Sequence, residues 1–177
     1  MNQPRSFTLD AITPPTSALH GFSQGYDVIT SSSLKRKMSG RGVLQSLWTK
    51  QKTTLRGRGW LPAGLDTLDM KVPHTLLCAA SQSIQSIANV VVLPSSIRTD
   101  APEYAPQGIA LLADGSYAPT SATLGTDGVT LTLTAVAGAV RYQARYWPAL
   151  QVFLTTLRNN ADMSGNVTDW EVVAEEV

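Results

Sequence analysis

Two short alternating runs constrain the fold of this chain more than any other feature. In VTLTLTAV, Val129, Leu131 and Leu133 alternate with Thr130, Thr132 and Thr134. In VRYQARYW, Val140, Tyr142, Ala144 and Tyr146 alternate with Arg141, Gln143, Arg145 and Trp147. An extended strand, whose successive side chains point to opposite faces, turns a period of two into one apolar face. A helix would scatter the same residues around its axis. Asp127-Gly128 before the first run and Gly138 between the two supply turn residues, so the runs are expected to pair as a hairpin. The chain reads as mainly β.

Other segments fit that class. Gly40, Gly42, Gly57 and Gly59 fall at turn-like spacing, and Val43, Gln45, Leu47 and Thr49 alternate bulky with polar. A helix over 43–52 competes, but the glycines favour hairpins. Pro62-Ala63-Gly64 has the residues of a tight turn. Val72 to Cys78 reads as a strand, residues 81–89 as a short helical turn, and Val90 to Leu93 as an apolar strand. The Pro-rich stretch 95–118 is expected to be a long connection, a functional or interfacial loop. After Pro148, ALQVFLTTL suits a strand or a short helix, Asn159 to Asn166 a turn, and Trp170 to Ala174 a terminal strand. Residues 1–33, rich in Pro, Ser, Thr and Gly, read as an irregular N-terminal arm whose Tyr26 to Ile29 can join a sheet edge. Residues 34–177 read as a single β-rich domain.

Composition suits an assembly subunit and a plain β-rich domain alike. Charged residues are only 15% of the chain, where a free soluble domain carries roughly a quarter. Ser and Thr, 16 and 19 in number, take up the difference. Interface cores are depleted in charge, although Thr also suits any half-buried strand. The net charge of +1 hides an asymmetry: residues 1–99 hold 11 bases and 4 acids, residues 100–177 hold 3 bases and 9 acids. Such polarity can steer the basic surface of one copy onto the acidic surface of another or onto any anionic partner, or it is simply a solvated basic face of a monomer. Cys78 is the only cysteine, which excludes an intrachain disulfide and a thiolate metal cluster; it is expected as a buried structural thiol. No stretch approaches the roughly 18 apolar residues of a membrane span, and the N-terminus lacks an apolar signal core. A soluble chain made in a reducing cytoplasm, with no membrane partner, is the expectation.

The motifs that could carry chemistry fail on context. Gly21-Phe22-Ser23-Gln24-Gly25 matches the nucleophile-elbow pattern, but that elbow needs a buried strand before it and a helix after it. Pro14-Pro15 and the polar residues that follow cannot form such a strand. Two histidines and one cysteine at unrelated spacings make no metal site, and Asp66 and Asp69 do not follow the calcium-loop spacing. Gly57-Arg58-Gly59 lacks the lysine and helix of a phosphate loop. No catalytic, cofactor or metal residue is therefore expected. What remains is a basic stretch: Lys35, Arg36, Lys37, Arg41, Lys50, Lys52, Arg56 and Arg58, with Trp60, are the candidate assembly contacts. Cations that neutralise phosphates, with Trp48 or Trp60 to stack on a base, make a nucleic-acid-binding module the alternative from a different class.

The string from Gly57 to Asp69, GRGWLPAGLDTLD, follows a basic strand carrying Trp48-Thr49-Lys50 and precedes Pro73 and Leu76-Leu77-Cys78. Farther on come Tyr146-Trp147-Pro148-Ala149-Leu150 and a closing segment from Trp170 to Val177. This order of segments resembles a small family of contractile-tail bacteriophage proteins, the tube-initiator or ripcord-like baseplate subunits. The resemblance implies a structural virion protein with a β-sandwich or barrel core related to tail tube subunits. It further implies a six-fold ring at the junction of tube and baseplate, linking tube, sheath and baseplate, assembled in the host cytoplasm and without enzymatic activity. A tail terminator or head–tail connector ring is the alternative within the same class.

Overall fold

The computed structural model describes residues 6–59, 61–162 and 167–177. Strands take up 59% of the chain, so it is mainly β. In chain order they are β1 (Thr8–Leu9), β2 (His20–Arg36), β3 (Gly42–Arg58), β4 (His74–Leu77), β5 (Gln82–Ser86), β6 (Val90–Val92), β7 (Gln107–Leu112), β8 (Tyr117–Thr120), β9 (Ala122–Leu124), β10 (Thr130–Leu133), β11 (Ala139–Tyr146), β12 (Ala149–Asp162) and β13 (Val167–Glu176). One β-rich domain over 34–177 is the expectation; the chain clusters into two compact units. One comprises residues 1–10 and 75–150, the other residues 11–74 and 151–177.

In the first unit, β6-β10-β9 and β5-β11-β7-β8 form two antiparallel sheets, and β1 pairs with β4. Alternation does what the sequence implies. Leu131 and Leu133 are fully buried, whereas Thr130 and Thr132 sit opposite Val92 and Val90 on the outer face. Tyr142, Ala144 and Tyr146 enter the same core as Val91, Leu93, Ile97 and Ala110. Each fully buried leucine of this kind contributes about 1.5–3 kcal/mol of transfer free energy. The polar groups taken inside are matched: Trp147 Nε1 donates to the Ala79 carbonyl at 3.1 Å. Cys78 is buried, as expected of a structural thiol.

The second unit is built on the strand order β12-β13-β3-β2. Its buried face carries Leu55, Trp170, Val172 and Ala174, with Leu154 opposite Ala174. Trp170 Nε1 donates to the Ala18 carbonyl at 3.1 Å, and Phe22 stacks at a tilt against the same indole at 6.3 Å. Gly64, at φ 95°, closes the turn expected at Pro62-Ala63-Gly64, and the Leu65 amide donates to the Pro62 carbonyl.

Several local expectations are corrected. Residues 20–33 are not irregular: they form most of β2, paired with β3 along its length. Their Ser- and Thr-rich run lacks a period because most of its residues face water on either side. Residues 43–52 are strand, which bears out the hairpin that the glycines favour. Residues 82–86 are β5 rather than a helical turn, because Ile84 points at the core while Ser83 and Gln85 alternate with it. The stretch 95–118 contains β7 and the start of β8, whose apolar residues Ile109 and Ala110 are hidden between prolines. The VTLTLTAV and VRYQARYW runs do not pair: β10 lies between β6 and β9, β11 between β5 and β7. The expected turn from Asn159 is strand as far as Asp162; residues 163–166 lie outside the described residues.

Candidate functional site

The basic residues singled out from sequence divide into two groups with different surroundings. Lys50, Lys52, Arg56 and Arg58 recur every second or fourth residue of β3, so they share one face of the strand. β13 runs antiparallel beside β3 and lays an acidic strand against them. Arg56 donates to Glu171 Oε1 from Nε at 3.2 Å and from Nη2 at 2.9 Å. Arg58 Nε lies 3.6 Å from Asp169 Oδ1. Lys52 stands opposite Glu175 in register, and Lys50 Nζ donates to the Val177 carbonyl. The opposite charges of the two halves of the sequence therefore meet within one chain. A partly exposed ladder of this kind stabilises only modestly, but it sets a carboxylate against both Arg56 and Arg58.

Arg158 of β12 extends this face, because it registers with Glu171. It lines a concavity of about 840 Å³ together with Arg56, Arg58, Asn159, Asn160, Asp169 and Glu171. Sequence reading missed Arg158 because the register shift between Leu154 and Thr156 breaks the alternation that would have assigned its face.

The second group is elsewhere. Lys35, Arg36, Lys37 and Arg41 sit at the closed end of the β2–β3 hairpin. There the Lys37 carbonyl accepts from the Gly40 amide at 2.8 Å, and the Arg41 carbonyl accepts from the Lys37 amide at 3.0 Å. Gly40 at φ 78° makes this short loop possible. Arg36 Nη1 also donates to the Gly40 carbonyl. None of these four cations forms an ion pair among the described residues. Trp60, the last of the sequence candidates, lies outside the described residues.

The pairing of β13 with β3 ends at Lys52, so residues 28–49 continue as a two-stranded ribbon with no third strand among the described residues. At 3.3 Å per residue, the nine residues from Val28 to Arg36 give it a reach of about 30 Å. Register places Val28, Leu34 and Leu44 on the same face as the buried Leu55, with Thr30 and Ser46 between them. That face is buried in the sheet and open in the ribbon: Val28 is 68% exposed, Leu34 62% and Leu44 66%. Leu47, extruded at the register shift beside Ser31 and Ser32, is 84% exposed. The opposite face carries Ser31, Ser33, Lys35, Gln45 and Trp48. An isolated two-stranded ribbon is marginal in water, and this one carries apolar side chains that its own chain does not cover. Sequence composition hides it, because five serines among residues 31–46 mask the apolar positions.

Ser23 lies within β2 opposite Arg56, in extended chain rather than at a strand-to-helix elbow. His74 is buried, and its Nε2 donates to the Asp69 carbonyl at 2.8 Å. Asp69 Oδ1 in turn accepts from the Lys71 amide. Asp127 holds the turn before β10: its carboxylate accepts from the Thr130 hydroxyl and from the Val129 and Thr130 amides, which keeps its pKa below the ordinary carboxylate value. No family model, curated protein or solved structure matches this chain.

Proposed function

We propose that this chain is a structural subunit that assembles with copies of itself into a ring of a phage tail, at the junction of tail tube and baseplate. The observation that carries the reading is the ribbon at 28–49, whose Val28, Leu34 and Leu44 prolong a buried sheet face into solvent. A neighbouring copy that covers this stripe would complete a core that one chain leaves half built, which is how obligate interfaces resemble a core cut in two. The outer edge of β2 adds a row of backbone groups that a further strand can pair with, and ring closure removes such edges. The low content of charge and the abundance of Thr suit a surface that is permanently covered.

In this reading the core is a β-sandwich or barrel related to tail tube subunits, and the ring has six copies. Its work is mechanical: the ring starts tube growth and passes conformational change between baseplate and sheath, with no covalent step. The test is the mass of the protein in solution by light scattering, alone and with a tail tube subunit. Sixfold mass in either setting supports the ring, and replacing Leu34 and Leu44 by Ser should abolish it. A strict monomer in both settings sinks the proposal.

A further inference from the structure

We infer that the closed end and the outer face of the 28–49 ribbon form a binding site for duplex nucleic acid. This goes beyond the ring and does not depend on it: Ser31, Ser33, Lys35 and Gln45 lie on the side of the ribbon opposite Val28, Leu34 and Leu44, Lys37 and Arg41 lie in the closing loop, and Arg36 alone shares the apolar side, at its very end. Charge is the first argument. Lys35, Arg36, Lys37 and Arg41 put four cations within seven residues, and no acid occurs between Asp27 and Asp66. Arg56 and Arg58 of β3 are answered by Glu171 and Asp169, and Lys52 stands opposite Glu175, whereas the four cations at the ribbon's end have no acid opposite them in register.

Shape is the second argument. A two-stranded antiparallel ribbon fits the major groove, which is about 12 Å wide, and a reach of about 30 Å spans close to one turn of duplex. The side chains are the third. Ser31, Ser33 and Gln45 line the face that leads to the cations, and hydroxyl and amide groups of this kind donate to phosphate oxygens and base edges. An acidic protein surface would meet the charge but has no use for a slender, hydroxyl-lined ribbon, so duplex nucleic acid is the better match.

The experiment is fluorescence anisotropy of the full chain with a labelled duplex of about 20 base pairs, at several salt concentrations. Four phosphate contacts predict a log–log salt slope of about −3.6, a loss of about 10²-fold in affinity between 50 and 200 mM salt. Replacing Lys35, Arg36, Lys37 and Arg41 together by Gln should remove binding and slope, while Arg56→Gln with Arg58→Gln should retain both. Because the four residues are exposed, thermal melting of the quadruple variant should match the parent protein. Three results would overturn the inference: no binding at 50 mM salt, an unchanged slope in the quadruple variant, or competition by poly-glutamate as effective as by unlabelled duplex. The last would identify an acidic protein as the partner.

Discussion

Trp170 lies flat against the backbone of Gly57: a Cβ at that glycine would stand 2.5 Å from Cζ2 and 2.6 Å from Cε2 of the indole. The two residues are register partners on β13 and β3, so the sheet's largest buried side chain fits only because its neighbour has none. Gly57→Ala should cost about 1–3 kcal/mol through overpacking, a fall of several degrees in Tm by calorimetry. Adding Trp170→Leu to that variant should cost less than it costs in the parent, because contacting residues are not additive. Additive losses would mean that the indole moves away freely.

Arg98, buried in the first unit, is held by a bidentate pair to Asp100, with Nη2 to Oδ2 at 2.6 Å and Nε to Oδ1 at 2.8 Å. Its Nη1 donates to the Ser6 and Cys78 carbonyls, and the guanidinium lies 3.3 Å from the Tyr104 ring centroid. The hydrogen bonds from Arg98 lower the Asp100 pKa below its ordinary value. A depressed carboxylate pKa contributes stability that is present above the unfolded-state value, about 3.9, and is lost as pH falls through the folded value. Asp100→Asn should lower stability near neutral pH by about 1 kcal/mol, since the Asp100 side chain is 38% exposed and partly screened, and flatten the acid limb of the Tm–pH curve below about pH 4. An acid limb identical to the parent's would refute the assignment.

Limited trypsin digestion should cut the free protein first between Lys35 and Arg41, where four exposed cleavage sites lie on a ribbon with few tertiary contacts. Mass spectrometry of the early fragments reads this directly. In any assembled form that covers the ribbon, the same bonds should be protected. First cleavage at Arg141 or Arg145 instead would show that the ribbon is not the most accessible segment.

Arg56 is largely open to solvent although Glu171 is only 24% exposed, so Glu171→Gln should cost about 1 kcal/mol. Glu171→Arg should cost more, since it places a third cation between Arg56 and Arg158. Exchanging the pair, Arg56→Glu with Glu171→Arg, should recover part of that loss. Urea midpoints at low salt measure each variant, and the differences should shrink in 1 M salt as screening removes them.

Some of this molecule was readable from local chemistry. The alternation of Leu131 and Leu133 with threonines, and of Tyr142, Ala144 and Tyr146 with Gln143 and Arg145, gave the right buried face in β10 and β11. Gly64, Gly128 and Gly138 all adopt positive φ at the turns where their neighbours suggested them. The candidate site was half readable. Its cations were visible, but the stripe of Val28, Leu34 and Leu44 was not, because alternation with Ser and Thr resembles a loop until a paired strand gives it a face.

By itself the sequence determined the β class, the turns and which side of several strands is apolar, because these depend on neighbours within a few residues. Tertiary structure decided which strands meet. β10 and β11 are adjacent in sequence yet lie in separate sheets, and β13 travels more than a hundred residues along the chain to lie beside β3. That pairing sets Glu171 on Arg56 and Asp169 on Arg58, and so leaves the hairpin end as the place where charge stays free. Partner choice between strands is a competition among distant surfaces, won by total burial and register across the whole sheet, and no window of sequence contains both competitors.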